Sequence, residues 1–293
     1  MSDSPSHMAL LRQYTHAIID MAGVVSDDWH DELPVRPLVP RFFLNTDDDI
    51  MPVLLTLDSV SEAHMKLLGA NLEDAKDRPF MRLLSCLLYV APDTHSNSLA
   101  HHLTNMLMLD GPGREGPGKL IRYYRNDVFL HLLRILPPPR IRQLFGPVQT
   151  WTLPFQQGWP AFAPPEITGS APAYWAVNEE QEQRIKQIGL INNILIRRKE
   201  KTGMRWASVE DFHADAEKVE RILLFSERRY QLRDEPDQIL FAEHSLLYGE
   251  AFHEHPKIQQ LLQVVQGKGW GYAGGCAEIT ENDWKDIAAR RQT

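Results

Sequence analysis

Two groups of histidines are the side chains of this chain best suited to acid–base or metal chemistry. One is the adjacent pair His101 and His102, and the other spans His244 to His255, where glutamates are interleaved. Imidazole titrates near neutral pH and binds transition metals, so either group would suit a hydrolase or a transferase. Neither has the H-E-x-x-H spacing that places two imidazoles on one helical face for zinc. We therefore expect no metal site and interpret the histidines as capping or solvated residues, with a hydrolase or transferase as the alternative.

Two glycine-rich motifs have spacings that occur in nucleotide-binding proteins. Residues 113–119 (GREGPGK) match a P-loop up to the lysine, but Leu120 stands where Ser or Thr would hold Mg²⁺. This loop also follows an expected helix and opens an expected strand, which reverses the P-loop order. Residues 269–274 (GWGYAG) fit G-x-G-x-x-G, yet too little chain follows for the βαβ unit of a dinucleotide site. Both motifs therefore predict turns, and we expect no cofactor.

The cysteine and serine residues that could act as nucleophiles lack the surroundings that would activate them. Cys86 lies in an apolar run, which predicts a buried and unreactive thiol. The chain has 2 cysteines, too few for a disulfide framework or for a zinc site built of four cysteines. It contains no G-x-S-x-G sequence. These patterns predict a protein that is not an enzyme and that works in a reducing compartment, the cytoplasm.

Composition and charge narrow the range of partners. The longest apolar run, 83–90, is far shorter than the roughly 20 residues that cross a bilayer, and no signal-peptide pattern opens the chain, so we expect no membrane contact. The net charge of −8 disfavours nucleic-acid binding. Acidic side chains are concentrated in residues 1–80, whereas residues 114–142 hold seven basic and two acidic side chains. This basic segment is either a solvated face or a docking strip for an acidic partner.

The elements that must position these side chains change in character along the chain. Before about residue 155 the apolar periodicity predicts a mixture of helices and strands. A segment rich in proline, glycine and aromatic residues follows and is interpreted as an ordered linker. The expected helices are 8–21, 61–75, 98–109 and 126–136, and the expected strands are 39–44, 51–57, 81–90, 119–125 and 147–153.

Beyond the linker the pattern is helical only. Asn178 with Gln181, and Ser208 with Asp211, have the spacing of capping boxes that open helices. A third helix is expected over 236–253. We therefore predict an α+β fold with a mixed α/β N-terminal lobe and an all-α C-terminal lobe. The predicted boundaries are 1–155 for the α/β lobe, 156–172 for the linker and 173–293 for the helical lobe.

The stretch from Ser85 to Trp151 resembles one protein family, the type VI secretion effector chaperones, also called adaptors. The most specific parts of the resemblance are 120–124 (LIRYY), the helix that follows, and 145–151 (FGPVQTW). Members of this family are cytoplasmic bacterial proteins that hold a toxic effector and help place it on the spike tip protein of the secretion machine. In the family LIRYY is commonly followed by Asp-Pro-Arg, whereas this chain has Arg125-Asn126-Asp127, with the acidic and basic positions exchanged.

The resemblance implies a non-catalytic function in which the chain binds the N-terminal region of an effector and the spike tip protein. On the expected strand 119–125, Arg122 and Tyr124 share one face. Recognition through a strand edge and recognition through a groove between the lobes both remain open, and a permanent structural subunit of a larger assembly is a further alternative. The residues predicted to bind a partner are Arg122, Tyr124, Arg125, Arg134, Arg140 and Arg142.

Overall fold

The computed structural model describes residues 7–23, 32–40, 51–75, 82–112, 118–156, 158–268 and 271–289. The chain divides into two compact units, an N-terminal unit Met1–Ile185 and a C-terminal unit Lys186–Thr293. The N-terminal unit combines an antiparallel sheet with helices, and the described part of the C-terminal unit is helical. The predicted α+β fold with an all-α C-terminal lobe is therefore confirmed.

In the described residues the strands form one large and one small antiparallel sheet. Six of these strands form the large sheet in the order β2-β3-β1-β4-β7-β8, and β5 pairs with β6 alone. The strands are β1 (His16–Ile19), β2 (Val35–Pro37), β3 (Val53–Thr56), β4 (Leu84–Val90), β5 (Met108–Leu109), β6 (Lys119–Leu120), β7 (Val148–Thr152) and β8 (Ala161–Phe162).

Serine side chains cap two of the described helices, those that begin at Glu62 and Val209. The Ser61 side chain accepts a hydrogen bond from the His64 amide at 3.2 Å, and Ser208 and Asp211 form the expected reciprocal capping box. None of the described helices is both long and apolar enough to cross a bilayer. The helices are α1 (His7–Leu11), α2 (Glu62–Asp74), α3 (Ser96–Met106), α4 (Asn126–Ile135), α5 (Pro138–Phe145), α6 (Glu179–Lys186), α7 (Ile188–Thr202), α8 (Val209–Tyr230), α9 (Glu235–Tyr248), α10 (Pro256–Lys268), α11 (Tyr272–Gly275) and α12 (Glu281–Ala289).

Helices cover both faces of the large sheet. On one face α3, α4 and α5 pack against a layer that includes Ile18 and Leu88. On the opposite face α1 and α2 pack against a layer that includes Ala17 and Leu55. Successive residues of a strand point to opposite faces, so Ala17 and Ile18 belong to different layers. The central strands of the sheet are therefore largely buried between two helical layers.

The predicted helix over 8–21 is wrong beyond its first residues. Helix α1 ends at Leu11, and the chain then enters β1, whose four residues are all buried. Strand β1 pairs with β3 on one side and with β4 on the other, with His16 opposite Thr56 and Leu88. A strand buried on both faces is continuously apolar, and its periodicity cannot be distinguished from that of a short buried helix. Of the predicted strand 39–44, residues 39–40 are not in a strand and 41–44 lie outside the described residues.

The predicted strand over 119–125 is confined to Lys119 and Leu120. The chain then turns, and the Arg125 amide donates to the Arg122 carbonyl at 3.1 Å. The turn places the buried rings of Tyr123 and Tyr124 side by side, with their centroids 5.8 Å apart, whereas a strand would direct them to opposite faces. The expected alternation of Arg122 and Tyr124 with Tyr123 is therefore wrong.

The prolines at 137–139 end one helix and open another. Helix α4 stops at Ile135 as predicted, but α5 starts at Pro138 and was not expected. Proline is well tolerated in the first turn of a helix, where its missing amide hydrogen would have no intrahelical acceptor. The same residues therefore act as a stop signal and as a start signal.

The boundary between the units differs from the predicted one. Residues 161–162 of the expected linker form the edge strand β8, and Trp175 and Val177 are buried in the core of the N-terminal unit. Backbone bonds hold this region, since the Asp110 amide donates to the Trp175 carbonyl at 3.2 Å and the Val177 amide donates to the Asp110 carbonyl at 3.0 Å. The N-terminal unit therefore extends to Ile185 rather than to residue 155.

Trp151 lies at the centre of an aromatic cluster in the N-terminal core. Its ring is fully buried, with ring centroids 5.0 Å from Phe129, 5.7 Å from Tyr123 and 5.8 Å from Phe145. The two motifs LIRYY and FGPVQTW therefore meet in one packed cluster. Between them, Gly146 has φ +53° and ψ −117°, a conformation that favours glycine. A Cβ atom there would lie 2.3 Å from the His102 ring.

We expect Gly146→Ala to lower the free energy of unfolding of the N-terminal unit by about 2–4 kcal/mol, because backbone strain and overpacking act together. Gly169→Ala is the matched control, since Gly169 also has positive φ (+95°) but nothing lies within 4 Å of its added Cβ. The control should cost only the backbone strain, about 1 kcal/mol. Urea unfolding followed by tryptophan fluorescence measures both variants, and equal losses would contradict the contact with His102.

Candidate partner-binding site

Three of the residues predicted to bind a partner surround the carboxylate of Asp20. The Tyr124 hydroxyl donates to Asp20 Oδ1 at 3.2 Å, and the guanidinium groups of Arg122 and Arg125 lie 3.6 Å and 3.9 Å from its oxygens. Burial, followed by the charge of Asp20, raises the pKa of the Tyr124 hydroxyl. Tyr124 is fully buried, so it is a core residue and presents no surface to a partner.

Arg125 has a second acidic neighbour two residues along the chain. Its guanidinium donates to both carboxylate oxygens of Asp127, at 3.0 Å and 2.8 Å. The hydrogen bonds to Asp127 raise the pKa of Arg125. Arg125 and Asp127, whose basic and acidic positions are exchanged relative to the family, thus form a local ion pair. An exposed pair of this kind contributes about 0–1 kcal/mol to stability.

The other three predicted arginines lie on α4 and α5 and have different neighbours. Arg134 Nη2 lies 3.3 Å from His131 Nδ1 within α4. Arg140 donates to Gln143 Oε1 at 2.9 Å and also to the Tyr174 carbonyl, and burial lowers its pKa. Arg142 is exposed and lines a groove. The structure therefore does not unite the basic segment 114–142 into one strip, and residues 114–117 lie outside the described part of the chain.

The groove beside Arg142 has a volume of about 770 Å³, within the range of roughly 300–1,000 Å³ that is typical of ligand pockets. Helix α3, helix α5 and the segment 171–175 form its walls. Polar side chains and aromatic rings both line this groove. The residues that determine its character are His102, Asn105 and Met106 of α3, Arg142 of α5, and Tyr174 and Trp175.

The side chains of the groove are held by contacts from the core. His102 Nε2 lies 3.1 Å from the Leu144 carbonyl, and burial lowers the pKa of His102, so the neutral ring donates this bond. Trp175 is only 5% exposed, whereas its neighbour Tyr174 is 80% exposed. An aromatic ring so exposed beside a groove is typical of residues that anchor a partner. The sequence analysis did not identify Tyr174, although Pro172 and Trp175 beside it continue the proline-rich and aromatic composition of the expected linker.

The outer edges of the large sheet are poorly suited to strand addition. Strand β2 is three residues long and contains Pro37, and Pro34 precedes it. Strand β8 has two residues and follows Pro160. Proline lacks the amide hydrogen that a new strand would need, and short strands with prolines typically protect sheet edges from pairing. The described edges therefore do not favour recognition through a strand edge. The groove described above lies within the N-terminal unit, so it is a different surface from the groove between the lobes that the sequence left open.

The histidines of the hydrolase or transferase alternative form hydrogen bonds with different partners. His101 is exposed, with Nε2 3.1 Å from the Asn105 side-chain amide of the same helix. In the C-terminal unit, His244 bonds the Tyr272 hydroxyl at 2.9 Å, His253 bonds that of Tyr230 at 2.8 Å, and His255 bonds Asp286 at 3.0 Å. Each of these three rings therefore has its own hydrogen-bond partner.

Within the described part of the chain, no group of three or more His, Cys, Asp or Glu side chains is placed to hold a metal ion. Burial raises the pKa of the Cys86 thiol, as expected for a cysteine in a core. Of the two glycine motifs, residues 113–117 and 269–270 lie outside the described residues.

Comparison of the chain with family models, with curated proteins and with solved structures found no match. The family resemblance therefore rests on the residues quoted for it, chiefly 120–124 and 145–151, and the function is a proposal.

Arg140 and Arg142 provide a matched pair for testing how the groove wall is held. We expect Arg140→Glu to speed hydrogen exchange at the Ala176 and Val177 amides, because it removes the donor that holds the Tyr174 carbonyl. The lost charged hydrogen bond corresponds to about 1.5–3 kcal/mol of local stability. Arg142→Glu should leave this exchange unchanged because Arg142 is exposed. Equal exchange in the two variants would show that Arg140 does not fix the wall.

The pH dependence of the C-terminal unit should depend on His244. Burial, only partly opposed by Glu243, lowers the pKa of His244 from 6.5 to about 4. The folded state favours the neutral ring, so the stability that it contributes is complete above pH 6.5 and is lost as the pH falls towards 4. We expect His244→Gln to remove about 3 kcal/mol of this pH dependence. Urea unfolding near neutral and near acidic pH measures it, and an unchanged slope would contradict the assignment.

Proposed function

We propose that the protein is a cytoplasmic, non-catalytic chaperone and adaptor of a bacterial type VI secretion system. It binds the N-terminal region of an effector and helps to load that effector onto the spike tip protein. The resemblance at LIRYY and FGPVQTW is the basis of this proposal. Tyr123 and Trp151, one from each motif, pack at 5.7 Å and stabilise the unit that bears the groove.

The observation that carries a binding function is the groove with Tyr174 at its rim. Tyr174 is 80% exposed. Contact of its aromatic ring with water is unfavourable, so a partner that covers the ring stabilises the complex. Arg142 beside it offers a charge for an acidic group of the partner. Such a charge mainly speeds association, while the aromatic and apolar contacts slow dissociation.

The contacts of His102 and His255 do not pair a general base with a nucleophile. A general base needs a nucleophile within hydrogen-bond reach and an open path to substrate. His102 is instead directed at a backbone carbonyl, and His255 at the exposed carboxylate of Asp286. The hydrolase or transferase alternative therefore gains no support from these rings. A permanent structural subunit would differ from an adaptor in never releasing its partner.

The proposal is tested with the effector encoded beside the gene for this chain, immobilised through its C-terminus for biolayer interferometry. We expect the wild-type chain to bind, and Tyr174→Ala to weaken binding about tenfold through faster dissociation. Tyr89→Ala is the matched control, since Tyr89 is exposed (37%) on β4 and does not line the groove.

The adaptor function fails if the wild-type chain does not bind the effector. Equal losses in Tyr174→Ala and Tyr89→Ala would instead reject the groove as the contact surface. Circular dichroism of each variant ensures that the comparison is made between folded proteins.

A further inference from the structure

The C-terminal unit has an apolar pocket of its own where α7 and α9 pack together. Its volume is about 450 Å³, again within the range of roughly 300–1,000 Å³ typical of ligand pockets. Met204, Leu240, Leu246 and Leu247 provide most of the apolar lining. The pocket is therefore large enough to accept more than one apolar group.

The polar wall of this pocket is fixed by ion pairs. The Glu243 carboxylate is only 8% exposed and accepts hydrogen bonds from Lys201 at 2.7 Å and from Arg197 at 3.5 Å. Arg198, which lies on α7 with Arg197 and Lys201, pairs with Asp215 at 2.8 Å. A buried carboxylate is costly unless cations pair with it, and Lys201 and Arg197 both do so. The Glu243 carboxylate therefore holds the side chains of Lys201 and Arg197 in position.

The aromatic wall is equally fixed. His244 lies 4.4 Å from Trp284 between ring centroids, and Tyr248 stacks on the same tryptophan at 5.0 Å. The His244 Nδ1 atom is bonded to the Tyr272 hydroxyl. A wall held by several contacts loses little conformational entropy when a partner binds, so the pocket is preorganised.

Leu247 leaves part of the pocket open to water. It lines the pocket, yet 53% of the residue is exposed. An exposed leucine continuous with an apolar pocket extends the surface that a partner would bury. Burying this surface would contribute about 25 cal/mol for each Å² removed from water.

The charge around the pocket specifies the partner's chemistry. Residues 197–205 contain five basic side chains and the single carboxylate of Glu200. Lys201 and Arg197 remain 63% and 49% exposed although they pair with Glu243. An ammonium group has three donors, so Lys201 can bond Glu243 and a carboxylate of a partner together. An acidic partner would therefore complement this rim, whereas a basic one would be repelled.

We propose that this pocket binds an acidic amphipathic helix. Its apolar side chains, spaced three and four residues apart, enter the pocket and cover Leu247, and a flanking carboxylate contacts Lys201 of the pocket lining. That the helix belongs to the effector rests on the proposed function. The pocket is then a second contact surface of the adaptor, carried by the C-terminal unit.

The test uses the full chain and a fluorescein-labelled amphipathic peptide with leucines on one helical face and glutamates beside them. Fluorescence anisotropy should show binding that Leu247→Ser weakens about tenfold. Ile196→Ser is the matched control, because Ile196 is equally exposed (54%) on α7 but does not line the pocket. A second peptide, with lysines in place of the glutamates, should bind at least about tenfold more weakly.

The proposal is overturned if the glutamate peptide does not bind, if both variants lose affinity equally, or if the lysine peptide binds as well. Binding of a small apolar dye that Leu247→Ser abolishes, without peptide binding, would assign the pocket to a small ligand instead. An effector that binds the wild-type chain while the peptide does not would reject this pocket and retain the adaptor function. Peptide binding without effector binding would retain the pocket and reject the effector as the source of the helix.

Discussion

The packing of Trp151 against its aromatic neighbours is the interaction on which the N-terminal unit depends. Trp151 belongs to β7, which joins β4 to the edge strand β8, and its ring meets Phe129 of α4 and Phe145 of α5. Tyr123 contacts the same ring, and its hydroxyl donates to the Leu103 carbonyl of α3 at 2.7 Å. The cluster therefore positions the sheet and all three helices on that face. Because α3 and α5 form walls of the groove, the groove's shape also depends on this cluster.

The arginines of the basic segment show why charge in a sequence is a weak guide to a binding surface. Arg122 and Arg125 lie around Asp20, and Arg140 holds the Tyr174 carbonyl. The charges of Arg122 and Arg125 contribute little long-range attraction, since Asp20 compensates them at short distance. Among the described arginines of the segment, Arg142 both lines the groove and is exposed. The surface that remains for a partner combines this charge with the ring of Tyr174.

Local signals in the sequence predicted the starts of two helices that follow the expected linker. Ser208 with Asp211 opens α8, and Asn178 with Gln181 opens α6, because a cap and its partner lie within one helical turn. Strand β1 was not predictable in this way, because its partners β3 and β4 are distant in sequence. The turn at Tyr123 was missed because the contacts that bury this ring, with Leu103 and Trp151, also join residues that are distant in sequence.

The candidate site was predictable only in part. Arg142 was named from charge and a family resemblance, but Tyr174 became visible only when the structure showed its exposure. Its segment joins the N-terminal unit through the bonds of Asp110 with Trp175 and Val177, pairings that no local pattern in the sequence specifies. The pocket beside Leu247 likewise depends on which faces of α7 and α9 meet, and this is a result of tertiary packing.

The most direct measurement of adaptor function is the assembly of three purified components. The spike tip protein is immobilised, and the effector is passed over it with and without this chain. An adaptor should make retention of the effector dependent on the chain, with the chain and the effector retained in equal amounts. Retention of the effector without the chain, or its absence from the spike in the presence of the chain, would contradict the adaptor function.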